Sequence, residues 1–222
     1  MDSRVVVITG ATGVLGKLAA QTFAARGDSI VLLSRDQAEV DSLARDLNLP
    51  SERILARGVD LLDAQSLRAA AEAVAAQFGA VHILIHLVGG WTGGKTILET
   101  SVDDFAFMFN QHAWTTVHLF QAFAPLLASG GRVIVVSSPL ANAPIAKMSA
   151  YAAAKSAQET LVLTLAEELR ENGMTANVIQ VKSIDVKGTG KGTSPKEIVA
   201  AMEYLCSEEA AKVTGASLPI FR

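Results

Sequence analysis

Short runs of β-branched and aliphatic residues alternate along this chain with longer stretches of helical period, and turn residues separate the two. Val5 to Thr9, Ile30 to Leu33, Ile54 to Val59, Ile83 to Val88, Arg132 to Ser137 and Ala176 to Val181 read as strands, and Ser217 to Phe221 as a final one. Helical periodicity fills the intervals. It runs from the Gly10–Gly16 turn to about Arg26, then over Asp36 to Leu47, Asp63 to Phe78, Val102 to Leu127, residues 149 to 170 and Pro195 to Cys206. Asp63 is placed to cap its helix and Gly79 to end it, while Ser194, Pro195 and Glu197 form an N-terminal signature for the last. Strands that alternate with helices from end to end predict an α/β fold: a doubly wound parallel sheet of about seven strands with helices on both faces. Ile83 to Val88 is the longest apolar run and is expected at the centre of the sheet.

Composition narrows the picture further. At 222 residues, with no linker, internal repeat or low-complexity segment, the chain reads as one domain over 1–222. Half the residues are hydrophobic and aromatics are scarce, which suits aliphatic strands sandwiched between alanine-rich helices. A net charge of −3 offers no electrostatic footprint for nucleic acid or an anionic membrane, so neither is expected as a partner. An apolar strand follows Met1-Asp2-Ser3-Arg4 directly, leaving no room for a signal peptide, and no apolar run approaches the roughly 20 residues of a membrane span. Cys206 is the single cysteine and is read as a buried apolar residue. A cytoplasmic protein is the expectation. The histidines His82, His86, His112 and His118 show no metal-ligand spacing, and no metal is expected.

Chemistry concentrates in two stretches. In Tyr151-Ala-Ala-Ala-Lys155, an i,i+4 spacing on a helix sets a phenol and an ammonium on one face. A cation beside a phenol lowers its pKa from about 10, which predicts a general acid–base pair with an acidified Tyr151. Gly10-Ala11-Thr12-Gly13-Val14-Leu15-Gly16 lies between a strand and a helix, as in a dinucleotide fold. Gly10 permits the reversal, Gly13 admits a pyrophosphate to the backbone, and Gly16 lets helix and strand pack closely. Gly89, Ser138 and Lys182 also follow strand ends, so the parallel sheet should gather them on one rim.

With these spacings the whole chain resembles the short-chain dehydrogenase/reductase family, which implies a single-domain Rossmann-type fold. Thr9 to Gly16 resembles the family's glycine turn, Asp60-Leu61 its adenine contact, Asn110 its helix asparagine, and Ser138 with Tyr151 and Lys155 its catalytic set. The resemblance implies hydride transfer between a nicotinamide and a small carbonyl or alcohol. Tyr151 would move the proton, Ser138 orient the substrate oxygen, Lys155 hold the nicotinamide ribose, and Asn110 hold a water behind Lys155. It also implies cofactor contacts from Gly10, Thr12, Gly13, Leu15, Gly16, Val88, Gly89 and Ile184 as well as from Tyr151 and Lys155. At the end of the second strand, Ser34 stands where NAD-preferring relatives carry Asp, and Arg35 follows, which favours NADP(H). Asp36 works against that preference.

Departures from the pattern leave alternatives open. The middle glycine lies one position earlier than in most relatives with this catalytic set. His86-Leu87-Val88-Gly89 replaces the usual Asn-Asn-Ala-Gly, and Val181-Lys182 the usual Pro-Gly. These keep a non-catalytic NADP(H)-binding sensor or scaffold as a rival. His86 is expected to hydrogen-bond across the sheet. Val88-Gly-Gly-Trp91-Thr-Gly-Gly94, with Trp114 later, is similar to the dihydropteridine reductases, and Trp91 is a candidate platform for a flat substrate. The loop from Lys182 to Ser194 is glycine-rich and expected to be flexible. The helices over Val102 to Leu127 and Tyr151 to Arg170 are those through which the family forms homodimers or homotetramers.

Overall fold

The computed structural model describes residues 3–221. Its strands are β1 (Val5–Thr9), β2 (Ser29–Ser34), β3 (Ile54–Gly58), β4 (Val81–His86), β5 (Leu127–Ser137), β6 (Thr175–Gln180) and β7 (Ser217–Pro219). All neighbours pair in parallel, in the order β3-β2-β1-β4-β5-β6-β7. The chain therefore winds outward from β1 to one edge, returns to β4, and winds to the other. The crevice between β1 and β4 is the switch point, where such sheets bind ligands beyond their carboxyl ends.

Period-two alternation divides the strand side chains between two cores. Val5, Val7, Val31, Leu33, Leu84, Val133, Val135 and Val178 pack on one face against α3 (Ala64–Phe78), α5 (Thr115–Phe123) and α6 (Ser149–Leu169). Val6, Ile8, Ile30, Leu32, Ile83, Ile85, Ile134 and Ile179 pack on the other against α1 (Val14–Ala25), α2 (Gln37–Leu47) and α7 (Pro195–Leu205). Both faces of the sheet are thus buried, as parallel pairing requires. Each fully buried aliphatic side chain contributes roughly 1.5–3 kcal/mol.

The helix ends follow the local chemistry. Asp36 and Asp63 accept hydrogen bonds from the Glu39 and Gln65 amides, and Gly79 closes α3 with φ +79°. Ser194 and Glu197 form a reciprocal capping box behind Pro195. At the glycine turn, Gly10 has φ +66°, and a Cβ on Gly16 would lie 2.4 Å from Gly10 O and 2.6 Å from Ala11 Cα. Only hydrogen fits there, so α1 can start hard against the end of β1.

Two expectations need correction. The helix predicted over Val102 to Leu127 is not continuous: α4 (Val102–Phe109) passes into a π-helical turn at Asn110–Trp114 before α5 begins. Thr115 and Thr116 explain the interruption. Their hydroxyls bond back to Gln111 O at 3.0 Å and His112 O at 2.6 Å, competing with the regular backbone ladder. The sequence beyond then enters β5 at Leu127, which pairs with Val81 before a register shift brings Arg132 beside Ile83. The loop from Lys182 to Ser194 is folded on itself rather than open: Asp185 accepts from the Thr189 and Gly190 amides at 2.9 and 2.6 Å, and Ile184 pairs with Thr193. No helix among the described residues is long and apolar enough to cross a membrane.

Gly16→Ala is expected to lower the free energy of unfolding by about 2 kcal/mol or more, because the clash falls on backbone atoms that cannot turn aside. Urea denaturation checks this: the midpoint should drop with the slope unchanged.

Candidate active site

A cavity of about 300 Å³ opens at the switch point. Gly10 and Gly13 form its floor, Ser34 and Arg35 one end, Asp60 and Leu61 a side wall, and Val88 and Gly89 the end nearest β5. These eight were expected from the sequence to contact a cofactor, and the fold brings them together. Thr12 stands just behind them, its hydroxyl 2.9 Å from that of Ser34. Leu15 sends its side chain into the core, and Gly16 is covered by the glycine turn. What both residues offer the cavity is a backbone N–H in the first turn of α1, where amides lack intrahelical partners and favour an anion. Asp60 turns its carboxylate to the Leu62 amide at 2.9 Å. Ile184 stands apart from this group, in the folded loop after β6 and paired with Thr193.

These features fit a dinucleotide. The amides at the start of α1 suit a pyrophosphate, the glycines leave room for it, and Arg35 adds a cation to the lining.

The candidate catalytic residues come together beyond Gly89. Ser138, buried at the end of β5, opens a short turn by accepting from the Leu140 amide at 3.3 Å. It also lies close enough to Tyr151 to pull the phenol pKa down. That pKa is nevertheless raised, because burial outweighs the influence of Ser138. This corrects the expectation of an acidified tyrosine: Lys155 is not among the groups that shift it. Lys155 instead extends inward, 5% exposed, and donates to Val136 O at 3.0 Å and Gln158 Oε1 at 2.9 Å. Burial lowers its pKa to about 7, against an upward pull from Glu159.

The sequence pointed to Asn110 as the fourth member. In the structure Asn110 opens the π-helical turn, half-buried, and no described hydrogen bond joins its side chain to Ser138, Tyr151 or Lys155. Two residues further on, His112 faces the tyrosine. Its ring meets the Tyr151 ring edge-on at 5.6 Å, and its Nε2 donates to Gly90 O at 2.9 Å. A Cβ on Gly89 would lie 2.9 Å from His112 Cε1, which accounts for a glycine at the end of the cavity. Behind it, Gln158 donates to Thr116 Oγ1 at 3.0 Å and accepts from Lys155. His86 reaches across the sheet to Thr9 Oγ1 at 2.7 Å. Burial, then the Lys155 charge, pushes both His86 and His112 down to about 3, so both are neutral near pH 7. Sequence reasoning missed His112 and Gln158. The available signal was the pair of threonines that breaks the helix, together with a polar side chain one turn beyond Lys155. Trp91, the candidate substrate platform, is 61% exposed, with its ring edge against Gly93.

Comparison with known proteins agrees with this geometry. Residues 4–196 match the family model for short chain dehydrogenase. Curated relatives include meso-2,3-butanediol dehydrogenase of Serratia marcescens, 27% identical over 99% of this chain and 93% of its own. Another is 7alpha-hydroxysteroid dehydrogenase of Escherichia coli K12, 26% identical over 99% and 93%. Among solved structures, an NADPH-bound short-chain oxidoreductase of Pseudomonas aeruginosa superposes with a TM-score of 0.90 at 24% identity, covering 98% of this chain and 95% of that one. A 3-ketoacyl-(acyl-carrier-protein) reductase of Brucella melitensis complexed with NADH gives 0.86 at 22%, covering 98% and 96%. With its switch-point cavity, its serine–tyrosine pair and a family match over nearly its whole length, the chain belongs to the short-chain dehydrogenase/reductase family of oxidoreductases.

Proposed function

We propose that this protein is an NADP(H)-dependent reductase of small carbonyl compounds in which Tyr151 is the general acid. The observation that carries the reading is the placement of Tyr151 against His112 at the Gly89 end of the cavity, with Ser138 close enough to pull the phenol pKa down. Two neighbouring hydroxyls suit a substrate oxygen: Ser138 orients it and Tyr151 delivers a proton to it. A reduced nicotinamide supplies the hydride. Lys155 has an N–H beyond the two that Val136 and Gln158 receive, and that N–H is the one suited to a ribose hydroxyl. The raised phenol pKa keeps Tyr151 protonated at neutral pH, as a proton donor must be.

Ser34 and Arg35 support NADP(H) over NAD(H). A carboxylate in place of Ser34 would repel a 2′-phosphate, whereas Arg35 would pair with it. Asp36 caps α2 by accepting from the Glu39 amide, and its carboxylate works against this preference. Self-association through this side of the molecule is supported by the exposed Val102 and Phe107 on α4, Trp114 on the π-helical turn and Leu163 on α6. The exposed Trp91 favours a flat heterocycle, such as a pterin, as the second reading of the substrate.

Tyr151→Phe retains the ring against His112 and removes only the hydroxyl. Its kcat is expected to fall by about 10²-fold or more, with the NADPH Kd within about twofold of the parent. Loss of NADPH absorbance with a panel of ketones, quinones and pterins reads the rate. Cofactor binding with no acceptor turned over by the parent would instead favour a sensor. Arg35→Ala should raise the KM for NADPH about tenfold and leave that for NADH nearly unchanged. Equal changes for both cofactors would remove the argument for NADP(H).

A further inference from the structure

Glu159 is a carboxylate with only 3% of its surface exposed, and no described salt bridge reaches it. It is enclosed by neutral donors. Gln180 Nε2, at the end of β6, donates to Oε1 at 3.0 Å and to Oε2 at 3.1 Å. Asn142 Nδ2 donates to Oε2 at 3.0 Å, and Ser217 Oγ at the start of β7 donates to the same oxygen at 3.3 Å. Both oxygens accept, and both amides present only N–H, so the cage complements a carboxylate and not a carboxylic acid. A buried anion is costly without a counter-charge. The candidate is one helical turn back. Lys155 shares the face of α6, and side chains at i and i+4 have Cβ atoms about 6 Å apart.

We propose that Glu159 is the buried counter-charge of Lys155, a positioning residue that holds the lysine as an ammonium behind Tyr151 and ties it to β6 and β7. The direct ligands of Lys155, Val136 O and Gln158 Oε1, are neutral. The other titratable groups facing it are Tyr151 on α6, His112 on the π-helical turn and His86 on β4. Tyr151 is kept protonated by burial, and the imidazoles are neutral near pH 7. Glu159 is therefore the group that opposes the desolvation of the lysine, and its field raises the lysine pKa. The importance of this coupling for catalysis rests on the reductase reading above; the coupling itself does not.

The test is the titration of Lys155 in the full-length protein without cofactor, followed by NMR of isotope-labelled lysine and assigned by the signal lost in Lys155→Met. Glu159→Gln should move the midpoint of Lys155 down by about one unit, the order expected of one nearby buried charge in a medium of effective dielectric about 20. An unmoved midpoint overturns the proposal, whatever happens to the melting temperature, since a merely structural role would change only the latter. Should Glu159→Gln fail to fold, the carboxyl ¹³C shift of Glu159 in the parent decides: an ionised signal at pH 7 supports the proposal, and a protonated one overturns it. In turnover, the alkaline limb of kcat should shift down in parallel in Glu159→Gln. A moved midpoint in a protein that reduces no acceptor would support the coupling and sink the reductase reading instead.

Discussion

A lysine amine inside a protein core must be satisfied from within, and the architecture beside the crevice answers to that demand. Lys155 takes a carbonyl from β5 and an amide oxygen from its own helix, Gln158 is held in turn by the 110–116 segment, and Glu159 is caged by β6, β7 and Asn142. Polar groups at this depth cost several kcal/mol unless each finds a partner. The result fixes the face that α6 turns toward the sheet, and with it the direction in which Tyr151 leaves the helix. The phenol is positioned by what lies beneath it as much as by the serine opposite.

The second constraint is steric and lies on the other side of the crevice. Gly16 and Gly10 bring the start of α1 against the end of β1, and Gly89 lets the chain after β4 pass the His112 ring. Because every strand is parallel, these backbone approaches fall on the same rim as Ser138 and Tyr151. Cavity and hydroxyl pair are therefore products of one topology.

Much of this was legible in the sequence because it depends on local pattern. Alternating aliphatics assigned the strands to within a residue or two, except that β5 begins five residues earlier than expected, at Leu127, and the glycine spacing identified the crevice. The tyrosine and lysine were found by their spacing, and the serine through the family resemblance. What stayed hidden depends on tertiary burial. The sequence shows that Tyr151 and Lys155 are four apart, but not that the amine turns inward and leaves the phenol to the opposing effect of desolvation. It shows an asparagine at 110 but not that a π-helical turn, held by two threonine hydroxyls, presents His112 to the tyrosine. Glycines in the loop after β6 suggested flexibility, whereas one carboxylate, Asp185, gathers the amides that fold it.

Burial moves the two central groups in opposite directions, and that opposition bears on the direction of the reaction. Removing water favours the neutral form of each, so the phenol keeps its proton while the lysine is drawn toward losing one. A protonated phenol beside a serine hydroxyl is ready to give, which suits addition of hydride to a carbonyl, where negative charge grows on oxygen and a proton must follow. Oxidation of an alcohol would need the phenolate, and the protein alone disfavours it.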